Sequence, residues 1–254
     1  MLTNIFDTHA HYDDESFDSD RYEVLDELFQ NGVCGIINCG CTVASSRESL
    51  ELAHRYEGVY AAVGIHPQNA NEETEASFDV IRQLSFDEKA VAIGEIGLDY
   101  HYDYTPKDMQ LAFFEKQLIL ANELDLPVIV HDREAHADCV ELILRHRPRG
   151  VMHCFSGSPE TAKQLMDIGF YIGLGGSVTF KNARKPAEVA ASIPLERILL
   201  ETDCPYMTPV PLRGRRNRSD LIAYVAEKIA ELRGIEAQAV VDAARQNTKD
   251  LFGI

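Results

Sequence analysis

Short runs of apolar, often β-branched residues recur along the chain, separated by longer stretches in which apolar positions fall three and four apart. The short runs, at 4–9, 33–38, 59–65, 90–95, 127–131, 150–153, 171–175 and 198–202, are eight candidate strands. Between them the helical spacing predicts amphipathic helices at 21–30, 108–122, 135–146, 159–168 and 219–232. In the second of these Leu111, Phe114, Leu118 and Ala121 share one face, and Pro106 stands just before it. Apolar runs of this kind, joined by crossovers longer than about ten residues, belong to parallel strands covered on both faces. A doubly wound sheet usually carries a Gly-rich phosphate loop after its first strand, and none follows Phe6. The expected fold class is therefore α/β, a single (β/α)8 barrel of the TIM type.

The chain has 254 residues, 45% of them hydrophobic, which suits one full core, so residues 1–254 are expected to form one domain. Asp7 interrupts the N-terminal segment before an apolar run develops, and no later stretch approaches the roughly 18 apolar residues of a membrane span. A cytoplasmic monomer without a signal peptide is the expectation. The six cysteines show no CxxC pair and read as free thiols, with the Cys39–Cys41 C-x-C pair the one alternative metal spacing. A formal net charge of −17 opposes extended binding to duplex nucleic acid, so any such substrate must meet a local positive patch.

Polar residues that end the apolar runs fall at the C-terminal strand ends, where barrel sites are assembled. His9 and His11 are two apart at the end of the first run, which puts both imidazoles on one face. Glu95 ends the fourth run, His131 the fifth and His153 the sixth, and Asp203 follows the eighth. Four histidines and two carboxylates converging on one mouth point to metal chemistry; the set suits zinc and also admits manganese or magnesium. Six ligands are the number for two incomplete shells, with Glu95 expected to bridge two ions about 3.5 to 4 Å apart. Histidine binds metal only when neutral, so such a site should lose metal and activity below about pH 6.

Cations cluster in two later segments: Lys181, Arg184 and Lys185 after the seventh run, and Arg213, Arg215, Arg216 and Arg218 after the eighth. Barrel phosphate sites are commonly built from these two loops, and in an acidic chain seven cations there suggest an anion funnel, with Lys181 and Arg216 its candidate contacts. Arg133, two residues past His131, is placed to hold a phosphate oxygen. His66 ends the third run and is placed to donate to another. His54, His136 and His146 fall on helices and read as structural, His101 and Tyr100 have no assigned role, and the glycines of 173–177 read as close backbone approach rather than a phosphate cradle.

The strings Phe6-Asp7-Thr8-His9-Ala10-His11, Gly64-Ile65-His66-Pro67, Gly94-Glu95-Ile96-Gly97-Leu98-Asp99-Tyr100, Val130-His131-Asp132-Arg133, His153-Cys154-Phe155-Ser156-Gly157 and Glu201-Thr202-Asp203-Cys204-Pro205 run nearly end to end. Together they resemble the TatD-type metal-dependent deoxyribonucleases of the amidohydrolase superfamily. The resemblance implies a two-metal phosphodiesterase or exonuclease, acting at a DNA 3′ end or another phosphate-bearing substrate, with His9, His11, Glu95, His131, His153 and Asp203 as ligands. Catalysis then falls to Glu95, joining the ions, and to Asp203, taking the proton of the attacking water. Two positions depart from the pattern: Val210 where histidine is common, and Ser219 where proline usually follows the RxN segment. The ligand set itself also suits an ester or amide, such as an aminoacyl-tRNA ester, because metal ions polarise carbonyls as readily as phosphoryl groups.

Overall fold

The computed structural model describes residues 2–254. Eight strands form one parallel sheet in sequential order: β1 (Ile5–Ala10), β2 (Val33–Cys39), β3 (Val59–Val63), β4 (Ala90–Asp99), β5 (Val128–Arg133), β6 (Gly150–Met152), β7 (Tyr171–Leu174) and β8 (Ile198–Leu200). Helices α1 (Arg21–Gln30), α2 (Val43–Arg55), α3 (Glu75–Leu84), α4 (Lys107–Leu124), α5 (His136–His146), α6 (Pro159–Met166) and α7 (Arg184–Ser192) alternate with them, and α8 (Ile222–Arg233) and α9 (Ala237–Phe252) both follow β8. The first and last strands meet just past their ends, where Asp203 N–H donates to the His9 carbonyl and His11 N–H to the Cys204 carbonyl, both at 2.9 Å. This nearly closed (β/α)8 barrel is the fold class expected from the apolar pattern.

Neighbouring strand residues belong to different packing layers. Ile36, Ala61, Val128, Val130, Met152, Ile198 and Leu200 pack in the cluster that contains the helix residues, whereas Ile37, Ala62, Ile129, Val151 and Leu199 form a second cluster, joined only by Leu251 and Phe252 among the helices. The second cluster is the barrel interior, and α9 stoppers it. Period-two alternation thus survives inside runs that read as uniformly apolar.

Strand β4 breaks that alternation where the site needs it. Ile93 pairs with Val128 and Ile96 with Val130, so three steps along β4 match two along β5. The extra residue reverses the facing of every residue beyond it on the strand. Ala92 is interior, yet Ile96 and Leu98 lie in the outer layer, which leaves Glu95, Gly97 and Asp99 for the inside. Gly97 has φ +144°, and a Cβ there would collide with the His131 carbonyl oxygen; only glycine lets β4 approach the end of β5 that carries His131 this closely. Glu95 is accordingly not at the end of its strand, as its apolar run suggests, but four residues inside it.

Candidate metal centre

Glu95, buried in β4, is the hub. Its Oε2 lies 3.4 Å from His9 Nε2 and 3.5 Å from His11 Nε2. Its Oε1 faces His131 Nδ1 at 2.8 Å, His153 Nε2 at 3.3 Å and His66 Nε2 at 3.7 Å. Asp203 Oδ1 closes the first group, 3.7 Å from His9 Nε2 and 3.5 Å from His11 Nε2. All six expected ligands therefore converge, carried by strands and by the turns just beyond them.

The rings are aimed by their surroundings. His11 Nδ1 is 2.9 Å from the Cys39 carbonyl, which can only accept, so the ring proton sits there and Nε2 keeps its lone pair inward. His9 stacks on His153 with centroids 3.7 Å apart. His9 and His11 bring their Nε2 atoms to 3.1 Å, close enough for one to donate to the other or for both to share a bound cation. His131 Nε2 and His153 Nδ1 are buried without an aligned hydrogen-bond partner, as is Glu201 Oε2, although Asp99 stands 3.4 Å from the first and Glu201 Oε1 3.3 Å from the second. Buried donors and acceptors left in this state are costly. Their chemistry, imidazoles backed by carboxylates, is that of a metal nest.

Electrostatics agree. Burial opposes charge on His131, but Asp99 and Glu95 outweigh it and push the imidazole up to about 9. Burial likewise opposes charge on His153, where Glu201 and Glu95 win, and on His11, where Cys41, Asp203 and Glu95 win, so both lie well above the usual histidine range. Burial would raise Glu95, yet His9, His66 and His153 hold it well below the usual carboxylate range. The nest thus holds negative charge that protons offset, and a divalent ion must displace those protons to bind.

Two acids that the apolar runs did not single out belong to this arrangement. Asp99 stands beside His131 and Glu201 beside His153, where Gly173 makes room: a Cβ there would run into Glu201 Oε2. Both were visible in the sequence, as the acid of Gly97-Leu98-Asp99 and the one opening Glu201-Thr202-Asp203. Behind the nest Asp7 is fully buried and accepts from Thr202 Oγ1 at 2.6 Å, Ser219 Oγ at 2.7 Å and Thr202 N at 3.0 Å; burial pushes it up to about 7 despite these bonds. Ser219 therefore occupies a structural position, tying α8's approach to β1, and Val210 lies on the exposed loop, its N–H donating to Thr179 Oγ1.

The expected phosphate contacts divide. His66 joins the nest rather than standing apart from it. Arg133 ends β5, exposed, and Lys181 is exposed with no ion pair among the described residues. Arg216 does not stand free: its guanidinium is held by both oxygens of Asp20, at 2.8 and 2.5 Å, and packs over Phe17. Arg218 pairs with Glu27 and Asp220, and Arg184 with Glu188. The funnel of seven cations is reduced accordingly: Asp20 and Glu27, from the segment after β1 and from α1, take Arg216 and Arg218, while Asp220 and Glu188 pair locally with Arg218 and Arg184. His54, His136 and His146 pair with Asp87, Asp132 and Glu115, the structural roles expected of them.

A parallel barrel with such a nest at the C-terminal ends of its strands defines a metal-dependent hydrolase. Comparison with known proteins narrows the class. The family model described as TatD related DNase matches residues 6–253. A relative from Bacillus subtilis (strain 168), named as an uncharacterized metal-dependent hydrolase, YabD, is 44% identical over 98% of this chain and 99% of its own. The protein named 3′-5′ ssDNA/RNA exonuclease TatD from Klebsiella pneumoniae is 33% identical over 98% of both chains. The crystal structure of YjjV, a TatD homologue from Escherichia coli K12, superposes with a TM-score of 0.94 at 36% identity, covering 100% of both chains. The chain belongs to the TatD family of metal-dependent hydrolases.

Proposed function

We propose that this chain removes nucleotides from the 3′ end of single-stranded nucleic acid by phosphodiester hydrolysis, with two divalent ions, zinc, manganese or magnesium, held by His9, His11, Glu95, His131, His153 and Asp203. The observation that carries this reading is the division of Glu95: one oxygen faces His9 and His11, which Asp203 joins, and the other faces His131, His153 and His66. A single ion would need only one of these nests. The activity for which the Klebsiella relative is named supports the choice of substrate.

Divalent ions bound there would acidify a water molecule and draw charge from the phosphoryl oxygens. Asp203 is the most accessible carboxylate of the nest, its side chain 21% exposed against 5% for Glu95. Although burial would raise it, His11, His153 and His9 hold it below the usual carboxylate value, so it is ionised and able to take the water's proton. His66 is pushed down to about 3, chiefly by burial, and is neutral. Its Nδ1 accepts from the Gln68 N–H at 3.1 Å, which leaves the proton on Nε2 to be donated to a phosphoryl oxygen. Arg133 and Lys181 hold the phosphate from outside. The chain acts as one domain and as a monomer in the cytoplasm; its six unpaired cysteines fit a reducing compartment, and among the described residues no helix is long and apolar enough to cross a membrane.

The test is end-labelled single-stranded DNA, free or blocked at its 3′ end, incubated with the metal-reconstituted protein beside Glu95→Ala. Stepwise shortening of the free-ended strand alone, absent in the variant, is the expected result. Intact DNA in the presence of protein carrying both ions would sink the nuclease reading and turn the site toward esters or amides.

A further inference from the structure

The segment joining β4 to α4 carries an aromatic ledge that the metal nest does not use. Tyr102 and Tyr104 lie face to face, centroids 5.2 Å apart and planes within 4°. The Arg133 guanidinium sits over the Tyr102 ring at 4.9 Å, and His101 meets that ring edge-on. The rings nevertheless stay in solvent, Tyr104 66% and Tyr102 39% exposed. A slack loop would gain by folding two such rings inward. This one is pinned: Asn71 Nδ2 donates to the Tyr104 carbonyl at 3.1 Å, the buried Thr105 donates to the Gln68 carbonyl at 3.0 Å, and Gln110 donates to the Thr105 carbonyl at 2.9 Å.

The ledge adjoins the nest. Tyr102 lines a cleft of about 230 Å³ with Asp99, Tyr100 and Lys107, and Asp99 reaches 3.4 Å from His131 Nε2. Arg133 is the register partner of Asp99 across β4 and β5. A strand whose terminal phosphate lay in the nest would leave by a rim that these rings border.

We propose that Tyr102 and Tyr104 form a stacking platform for an unpaired nucleobase, which adds to the tyrosine pair on the open side of Tyr104. The inference rests on the nuclease reading and extends it from phosphate chemistry to recognition of the base. A ring face accepts any base, so the platform is indifferent to sequence, and a duplex keeps its bases stacked inside, so the platform favours single strands. The carboxylates of Asp103 and Glu134 share this rim with Lys107 and Arg133, so the rim carries no excess of positive charge and the ring faces are its distinguishing feature.

The chain has ten tyrosines and no tryptophan, so its emission is tyrosine emission, and the ledge's share is the part of the quenching that is lost when both ledge tyrosines are replaced. The metal-reconstituted protein is titrated with a short deoxyadenosine strand carrying phosphorothioate linkages that resist hydrolysis, and with the same backbone built from abasic residues. The base-bearing strand should quench emission and bind about 5- to 150-fold tighter than the abasic one. Replacing both tyrosines by alanine should bring the two Kd values together, and replacing both by phenylalanine should restore the gap. Equal Kd values in the wild type, or a gap that survives the alanine pair, would overturn the ledge alone while free-ended DNA is still cleaved. A wild type that neither binds nor cleaves either kind of strand takes down the nuclease reading and the ledge with it.

Discussion

The metal nest and the arginine-rich segment beyond β8 handle charge in opposite ways. In the nest every group is set on a strand or in the turn just beyond one, so residues as far apart in sequence as His11 and Asp203 meet at 3.5 Å with no freedom to choose other partners. In the later segment long side chains do choose. Arg216 turns to Asp20, Arg218 to Glu27 and Asp220, and Tyr206 donates to Asp14. A run of like charge along a chain therefore foretells a field only where the fold brings no opposite charge within reach, whereas a polar residue that ends or interrupts an apolar strand run is committed to whatever lies at that strand's end.

The contrast is tested hardest at Asp203. If the nest is fixed chemistry, Asp203→Asn keeps the fold and lowers kcat about 10²- to 10⁴-fold in steady-state assays, with KM little changed. A near-normal rate would remove Asp203 from the reaction. Next in size is Glu201→Gln, which keeps the shape beside His153 and weakens the acceptor that faces its ring. Metal affinity, followed by competition with a chromogenic chelator, should fall about 10- to 100-fold. Unchanged affinity would mean that Glu201 is buried there for packing alone.

The same contrast decides how much the sequence could show. The barrel was legible because parallel strands buried on both faces are short apolar runs, and the six residues that converge on the nest were legible as a group because each ends or follows such a run. The extra residue in β4 was not, because nothing in Gly94-Glu95-Ile96-Gly97 marks which way the pleat will flip; it appears only when β4 is laid against β5. Asp99 lies beyond that flip and went unassigned for the same reason. Glu201 was hidden by its neighbour Asp203, the acid that ends the run more plainly. Pairing of Arg216 with Asp20 spans 196 residues between two loops, and no periodicity links them. Residues that end or follow an apolar run could be read from the chain, while those placed by the extra residue in β4 or by loop-to-loop ion pairs could not.

Arg216→Ala should therefore leave the KM for single-stranded DNA unchanged and cost at most about 1 kcal/mol of stability, the range of exposed ion pairs. A several-fold rise in KM would return Arg216 to the substrate and break the distinction between the two regions.

The smallest expected effect lies at a pair of mixed character. Asp132 is fixed by β5 with its side chain 4% exposed, while His136 in the first turn of α5 is 36% exposed. The Asp132 hydrogen bond raises His136 above its ordinary value of 6.5, against a smaller opposing effect of burial. The protonated ring is thus favoured in the fold, so the stabilisation is fully present below about pH 6.5 and fades as pH rises through the higher folded value. With the side chain open to solvent the contribution stays under about 1 kcal/mol. Thermal unfolding of chelator-treated wild type and His136→Ala should show the largest Tm gap in mild acid and a shrinking gap toward pH 9. A gap independent of pH would mean that the strand-fixed carboxylate holds His136 through geometry alone, placing this pair with the nest rather than with the loops.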